Sequence, residues 1–328
     1  MAEFDLIARI RQRAAARGDV VLGIGDDCAL LAPPPGMQLA VTMDALNVGV
    51  HFPPDTAPAD IGWKALAVNL SDLAAMGAQP AWGTLSLSLP QGDAAFVDGF
   101  FDGFFALAAQ HGFALVGGDT TRGPLSIAIT AHGLVEPGRA LRRDGARVGD
   151  GIWVSGTLGD AAGALRQWQE GKGGQSGLPL AKGHSDPLFL RARLDRPTPR
   201  VALGRALRGI ASSCIDVSDG LLADLAHICR ASGVGAEVDV DALPASAALR
   251  AAFDPDTRRV LQAAGGDDYE LCFTVPASAS AADALGNALA EAGTGATRIG
   301  TVTAGEGVRP TLAGAAWSAP TTGWQHFA

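Results

Sequence analysis

The sequence predicts a mixed chain, between α+β and α/β, built as two domains. Three observations carry this. The 328 residues suffice for two domains of ordinary size. Stretches that alternate with a period of two are interleaved with stretches of helical period. One pair of short motifs also occurs twice in the same order. Asn69-Leu70-Ser71-Asp72 precedes Gly117-Gly118-Asp119, and Asp216-Val217-Ser218-Asp219 precedes Gly265-Gly266-Asp267. Asp72 and Asp119 are 47 positions apart, Asp219 and Asp267 48. Such a recurrence suggests two related halves whose acids meet at one site.

Hydrophobic residues make up 48% of the chain, ample for a core. The 34 acids against 25 bases leave a charge of −9, which disfavours a nucleic-acid partner. Cys28, Cys214, Cys229 and Cys272 form no Cys-x-x-Cys pair, so a reducing cytoplasm is expected. The N-terminus lacks the basic and apolar regions of a signal peptide. No apolar run approaches the roughly 18 residues that span a bilayer, so no membrane is expected.

Residues 4–17 have the pattern of an amphipathic helix, with Phe4, Leu6, Ile7 and Ile10 on one side. Gly23 and Gly25 then permit an unusual backbone path before Asp26 and Asp27. Leu39 to Asp44 alternates as a strand, which puts Thr42 and Asp44 on one face. His51 follows in a loop; it reads either as a surface histidine or as a substrate contact. A helix is expected from Pro58 to a stop at Gly77, with Asn69 and Asp72 sharing a face. An acid on that apolar segment is either solvated or held by a cation, hydrogen bonds or water. Residues 84–89 form a half-buried strand and 93–111 a helix. Its stripe of Phe96, Phe100, Phe101, Phe104 and Phe105 suits core or subunit packing.

A short strand over 113–116 runs into the turn Gly117-Gly118-Asp119, where backbone amides are placed to face an anion. Residues 125–130 are a further strand. Arg139, Arg142 and Arg143 cluster in a polar loop, from which a guanidinium is able to reach a triphosphate. A new strand opens at Gly151. The domains are therefore placed at 1–148 and 149–328, with a mobile loop at 170–186. Helices follow over 199–209 and 221–231, with Asp216 and Asp219 near the start of the second. Residues 271–274 are a strand. The tail ends in Gly323-Trp324-Gln325-His326-Phe327, which suits a plug or a cover for a ring.

The acids Asp26, Asp27, Asp44, Asp72, Asp119, Asp216, Asp219 and Asp267 lie mostly at strand ends, glycine turns and helix ends. If they converge they need cations, since two carboxylates 4 Å apart repel by about 4 kcal/mol at an effective dielectric of 20. Oxygen ligands without His or Cys spacing point to magnesium, which commonly bridges to phosphates. No P-loop and no protein-kinase motif set occurs.

Taken together, Gly23-Ile24-Gly25-Asp26-Asp27, Thr42-Met43-Asp44, 69–78, Gly117–Thr121, Asp216–Gly220 and Gly265–Glu270 resemble thiamine-monophosphate kinases. These belong to a wider superfamily that includes aminoimidazole ribonucleotide synthetase. The resemblance implies the synthetase-like two-domain fold, with an N-terminal ATP- and magnesium-binding domain whose sheet pairs across a homodimer. It implies phosphorylation of thiamine monophosphate by ATP, with several magnesium ions and no covalent or general-base residue. It assigns Asp27, Thr42, Asp44, Asp72, Asp119, Asp216 and Asp219 to the metals, with Met43 contributing its carbonyl. It assigns Gly118, Asp119, Arg143 and Ser218 to ATP, and His51, Asp267 and Trp324 to thiamine monophosphate. Family members often carry Glu where this chain has Asp267, and Thr where it has Met43.

Overall fold

The computed structural model describes residues 3–171, 188–321, 323 and 324. They fall into two compact units. The first takes the described residues up to Leu73 together with Ala78–Gly138; the second takes Ala74–Gly77 and the described residues from Arg139 onward. No helix among the described residues is long and apolar enough to cross a membrane.

The first unit runs α1 (Glu3–Arg13), β1 (Val20–Leu22), β2 (Leu30–Leu31), β3 (Gln38–Asn47), α2 (Pro58–Ala75), β4 (Gln79–Leu89), α3 (Ala94–His111), β5 (Ala114–Arg122) and β6 (Ser126–Val135). Four strands form one sheet in the order β3-β6-β4-β5, with β4 and β5 parallel and the other pairs antiparallel. Strand alternation gives this sheet two unlike faces. On one, Ile127, Ile129, Leu85 and Leu87 are buried. On the other, Leu39, Val41 and Met43 of the edge strand β3 are exposed.

Helix α2 is buried almost all round, as its apolar composition requires. It stops at Gly77, where φ is 64° and the amides of Gly77 and Ala78 turn back to the carbonyls of Ala74 and Leu73. Helix α3 starts at Asp93, whose carboxylate accepts the N–H groups of Ala95 and Phe96. Phe100, Phe101 and Phe104 are buried in edge-on and stacked contacts and are core, while Phe96 and Phe105 of the same stripe are half-buried. Helix α1 is pinned to α3 by Arg9–Asp98 and Arg13–Asp102. It ends at Arg13, four residues short of expectation.

The second unit runs β7 (Gly151–Ser155), α4 (Asp160–Gln169), α5 (Phe189–Asp195), α6 (Val201–Ala206), β8 (Ser213–Val217), α7 (Leu221–Ser232), β9 (Gly235–Asp239), α8 (Ala247–Ala252), α9 (Pro255–Ala264), β10 (Glu270–Val275), α10 (Ala279–Ala292), β11 (Ala296–Thr303), β12 (Gly307–Leu312) and β13 (Ala315–Ala316). Its sheet has the order β13-β12-β9-β11-β7-β10-β8. Strands β8 and β10 are buried along their whole length. The outer edge of β8 is met by the arginine loop, where Cys214 donates its N–H to the Arg142 carbonyl. Nearly all of the loop expected at 170–186 lies outside the described residues.

Two expectations are corrected. The Gly117-Gly118-Asp119 stretch is not a turn after a short strand. Strand β5 continues through it to Arg122, because Gly117–Arg122 pairs in parallel with Thr84–Leu89 and the ladder outweighs the low strand preference of glycine. The repeated motifs also occupy unlike structures. Asn69–Asp72 lies inside α2, whereas Asp216–Asp219 leaves β8 for a turn; the first Gly-Gly-Asp is strand and the second is loop. Their common spacing is therefore not a common fold.

Candidate active site

In the first unit, β3 and α2 bring oxygen ligands together. Thr42 and Asp44 lie on the same side of β3, and both are half-buried. The Thr42 hydroxyl donates to Asp72 Oδ2 on α2. One helical step earlier, Asn69 Oδ1 accepts the Asp44 N–H at 3.2 Å, while its amide nitrogen donates to the Ala65 carbonyl. Asn69 is fully buried, so it fixes both the helix and the strand end that carries Asp44. Met43 projects to the opposite, exposed face, 62% accessible.

Asp26 and Asp27 stand in an exposed turn, where the Asp27 N–H donates to Asp26 Oδ1. Asp119 pairs with Ser86 across β5 and β4; Ser86 in turn faces Ala128, and Ala128 faces Ala45. Asp119 is thus three strand spacings, roughly 14 Å, from Ala45 within one chain, on the sheet face opposite to Thr42 and Asp44. A cavity of about 80 Å³ opens beside Gly118 and Asp119, lined by Ile7, Ile10 and Ile24. At Gly118, φ is 149° and an added Cβ would lie 1.9 Å from the Leu85 carbonyl oxygen, so only glycine fits.

His51 Nδ1 accepts the Asn47 N–H at 3.0 Å, which leaves Nε2 to carry the proton of the neutral ring. The His51 carbonyl accepts from Lys64 Nζ at 2.9 Å; Lys64 is only 2% exposed. Among the described residues, no three His, Cys, Asp or Glu side chains cluster closely enough to hold a metal by themselves. That is compatible with magnesium, which needs few carboxylates because it keeps waters and takes substrate phosphates as ligands. The donors at Thr42, Asp44 and Asp72 are hard oxygens of the kind it binds.

In the second unit, Asp216 is buried near the end of β8, and Ser218 and Asp219 follow half-buried in the turn to α7. Asp224, in the first turn of α7, folds back on this turn. Its Oδ2 accepts the N–H groups of Ser218, Asp219 and Gly220, each at 3.1 Å. Burial and the Asp219 charge push its carboxyl up to about 7, against those three donors. Arg143 is exposed, with its carbonyl held by the Ser232 hydroxyl. His227 is depressed by burial and then by Arg143 and Arg230, while Asp219 opposes the shift. Arg143 and Asp219 therefore act on the same neighbourhood.

Asp267 sits in a left-handed backbone with φ 68°, as does Tyr269 with φ 50°. The Tyr269 hydroxyl donates to Asp267 Oδ1 at 3.0 Å. Between and after them, Asp268 and Glu270 are fully buried. Glu270 accepts from Arg193, Arg200 and Ser155. Asp268 Oδ2 accepts the Gly159 N–H, and burial pushes its carboxyl well above the ordinary range. Trp324 is 54% exposed and its backbone N–H donates to the Asp219 carbonyl.

Sequence reasoning missed Asn69 as an anchor, gave Asp268 and Glu270 no role within their motif, and missed Lys64, Asp224, Arg193 and Arg200 altogether. An acid in the first turn after Gly220 was a usable signal for Asp224. The partners of Glu270 are 70 to 115 residues away and leave no local trace.

Residues 25–135 match the model of the AIR synthase related protein, N-terminal domain, and 147–313 that of the C-terminal domain. Thiamine-monophosphate kinase of Salmonella typhimurium is 48% identical over 328 residues, covering 99% of this chain and 98% of that protein. The chain belongs to the thiamine-monophosphate kinase family. The crystal structure of the family member from Stenotrophomonas maltophilia K279a is 56% identical with a TM-score of 0.85, covering 97% of this chain and 98% of that one. AaThiL complexed with AMPPCP and TMP is 32% identical with a TM-score of 0.75, covering 99% and 97%. The expected two-domain, synthetase-related fold is thereby borne out for this family member.

Proposed function

We infer that this chain transfers the γ-phosphoryl group of ATP to thiamine monophosphate, giving ADP and thiamine diphosphate. The observation that carries the reading is identity to a thiamine-monophosphate kinase along nearly the full length of both chains. AMPPCP is an ATP analogue, so the ligands of AaThiL fit the same substrate pair.

In the reaction, an oxygen of the thiamine monophosphate phosphate attacks the γ-phosphorus in line. The bond to the β–γ bridging oxygen breaks and ADP leaves. A phosphate monoester has a second pKa of about 6, so the attacking oxygen needs no strong base near neutral pH. The residues therefore act by holding and positioning. Asp27, Thr42, Asp44, Asp72, Asp119, Asp216 and Asp219, with the Met43 carbonyl, would hold magnesium. When bound, magnesium supplies charge neutralisation at the phosphates. Gly118, Asp119, Arg143 and Ser218 hold ATP, with Arg143 adding positive charge. His51 offers its Nε2–H to thiamine monophosphate. Asp267 and the Trp324 ring hold the cationic end, for which an aromatic face is suited.

The active form is a homodimer that pairs the N-terminal sheets. The exposed Leu39, Val41 and Met43 on edge strand β3 support this, because an apolar strand edge left open invites pairing. The two domains divide near Gly138–Arg139, about ten residues before the expected 148/149 boundary, and the enzyme works in the cytoplasm. The test is ADP release with thiamine monophosphate, with and without magnesium. Release only when both are present supports the reading; none in any combination rejects it.

A further inference from the structure

The turn Ser218–Gly220 has an unusual feature: its backbone is engaged on both sides. Its three N–H groups converge on one oxygen of Asp224, which is 3% exposed. The Gly220 carbonyl accepts the Asp224 N–H at 2.9 Å, while the other two carbonyls bond to other segments. The Ser218 carbonyl accepts the Asp267 N–H at 2.8 Å, and the Asp219 carbonyl accepts the Trp324 N–H at 2.9 Å. One residue before, the Val217 carbonyl accepts the Tyr269 N–H at 2.8 Å. Neighbouring glycines permit this crowding. A Cβ at 266 would lie 2.6 Å from the Ser218 oxygen, and one at 323 would lie 2.7 Å from the Asp219 oxygen.

The turn therefore links two groups of residues to which different substrates are assigned. In the reading above, Ser218 is assigned to ATP and Asp219 to its magnesium, and Asp267 and Trp324 to the acceptor. All four hang on a peptide segment that Asp224 fixes in place. A carboxylate oxygen that gathers several amides is a strong, directional anchor. We propose that Asp224 is a positioning residue for phosphoryl transfer, which sets the nucleotide and acceptor contacts together through the Ser218–Gly220 turn. The proposal rests on the kinase reading above for these substrate assignments and for its kinetic arm.

The test uses the full chain with two substitutions. Asp224→Asn keeps a carbonyl oxygen at the same reach, while Asp224→Glu keeps the acid but displaces it by one methylene. Asp224→Ser replaces the glutamate variant if that one does not fold. For Asp224→Glu, KM for ATP and KM for thiamine monophosphate should rise together, and kcat/KM should fall by about 100-fold, as expected of a misplacement near 1 Å. Asp224→Asn should stay within about threefold of the parent on the same scale of effect. A purely structural role would lower thermal stability without moving both KM values or being rescued by Asn. In parallel, hydrogen exchange compares peptides spanning 216–220, 265–269 and the tail around Trp324. Joint loss of protection in Asp224→Glu is expected. An unchanged 265–269 peptide, or a rise in KM for one substrate alone, overturns the proposal. If the parent releases no ADP, the kinase reading fails, and the exchange arm still decides whether Asp224 positions the two segments.

Discussion

Glutamine at position 270 should cost the fold several kcal/mol, and the structure sets the size. Glu270 is fully buried and accepts from Arg200 Nε at 2.6 Å, Arg193 Nη2 at 2.9 Å and the Ser155 hydroxyl at 2.5 Å. Burial alone would depress Arg200, yet the charge of Glu270 and its hydrogen bonds hold that guanidinium above its ordinary value. Glu270→Gln keeps the shape but strands two guanidinium groups. Breaking one side of a buried ion pair costs about 3–5 kcal/mol. Two features favour the lower end. The Arg200 side chain is 19% exposed, and Arg193 keeps the Asp268 carbonyl at 2.8 Å and Asp160 at 4.0 Å. The expected loss is therefore about 3 kcal/mol, read by urea unfolding followed by circular dichroism. Replacing Glu270, Arg193 and Arg200 together by Met should recover part of it, because no guanidinium is then stranded, although buried Asp160 loses its cation. A loss below about 1 kcal/mol for the single variant would refute the reasoning, as that is the range of exposed pairs.

The remaining expectations are as follows. Burial raises the Asp268 carboxyl well above its ordinary value of 3.8 in the folded chain. Above that value the unfolded state binds fewer protons than the folded one, so stability falls as pH rises from about 4. Asp268→Asn removes this titration and should flatten the dependence of Tm on pH in EDTA; a parallel slope would contradict it. Asp72→Asn keeps the hydrogen bond with Thr42 but removes the charge, and should lower kcat by about 100-fold or more with Tm little changed; parent-like turnover would rule out its role. Val41→Lys puts a charge on the open sheet face and should yield monomers by light scattering; an unchanged dimer would place the contact elsewhere.

What the sequence could show was local. The helix over 58–75 was legible because composition, period and Gly77 agreed. The shared side of Thr42 and Asp44 followed from strand alternation alone. The continuation of β5 through Gly117 and Gly118 was not legible, since glycine there reads as a turn until β4 is known to lie alongside. The same limit hid Arg193 and Arg200, which look like ordinary surface arginines until Glu270 is placed beneath them. Asp267 was singled out by its glycines. Its support by Tyr269 two residues on was not legible, because both residues take left-handed backbone in a loop where strand alternation does not apply.

The four cysteines differ sharply in their surroundings. Cys214, Cys229 and Cys272 are buried, and burial pushes each thiol up, away from the reactive thiolate. Cys28 alone is exposed, next to Asp27. A maleimide dye added to the unmodified protein should therefore attach at one address. It would report on the Gly25–Asp27 bend as nucleotide and divalent ion are titrated, with no cysteine needing to be engineered in or out.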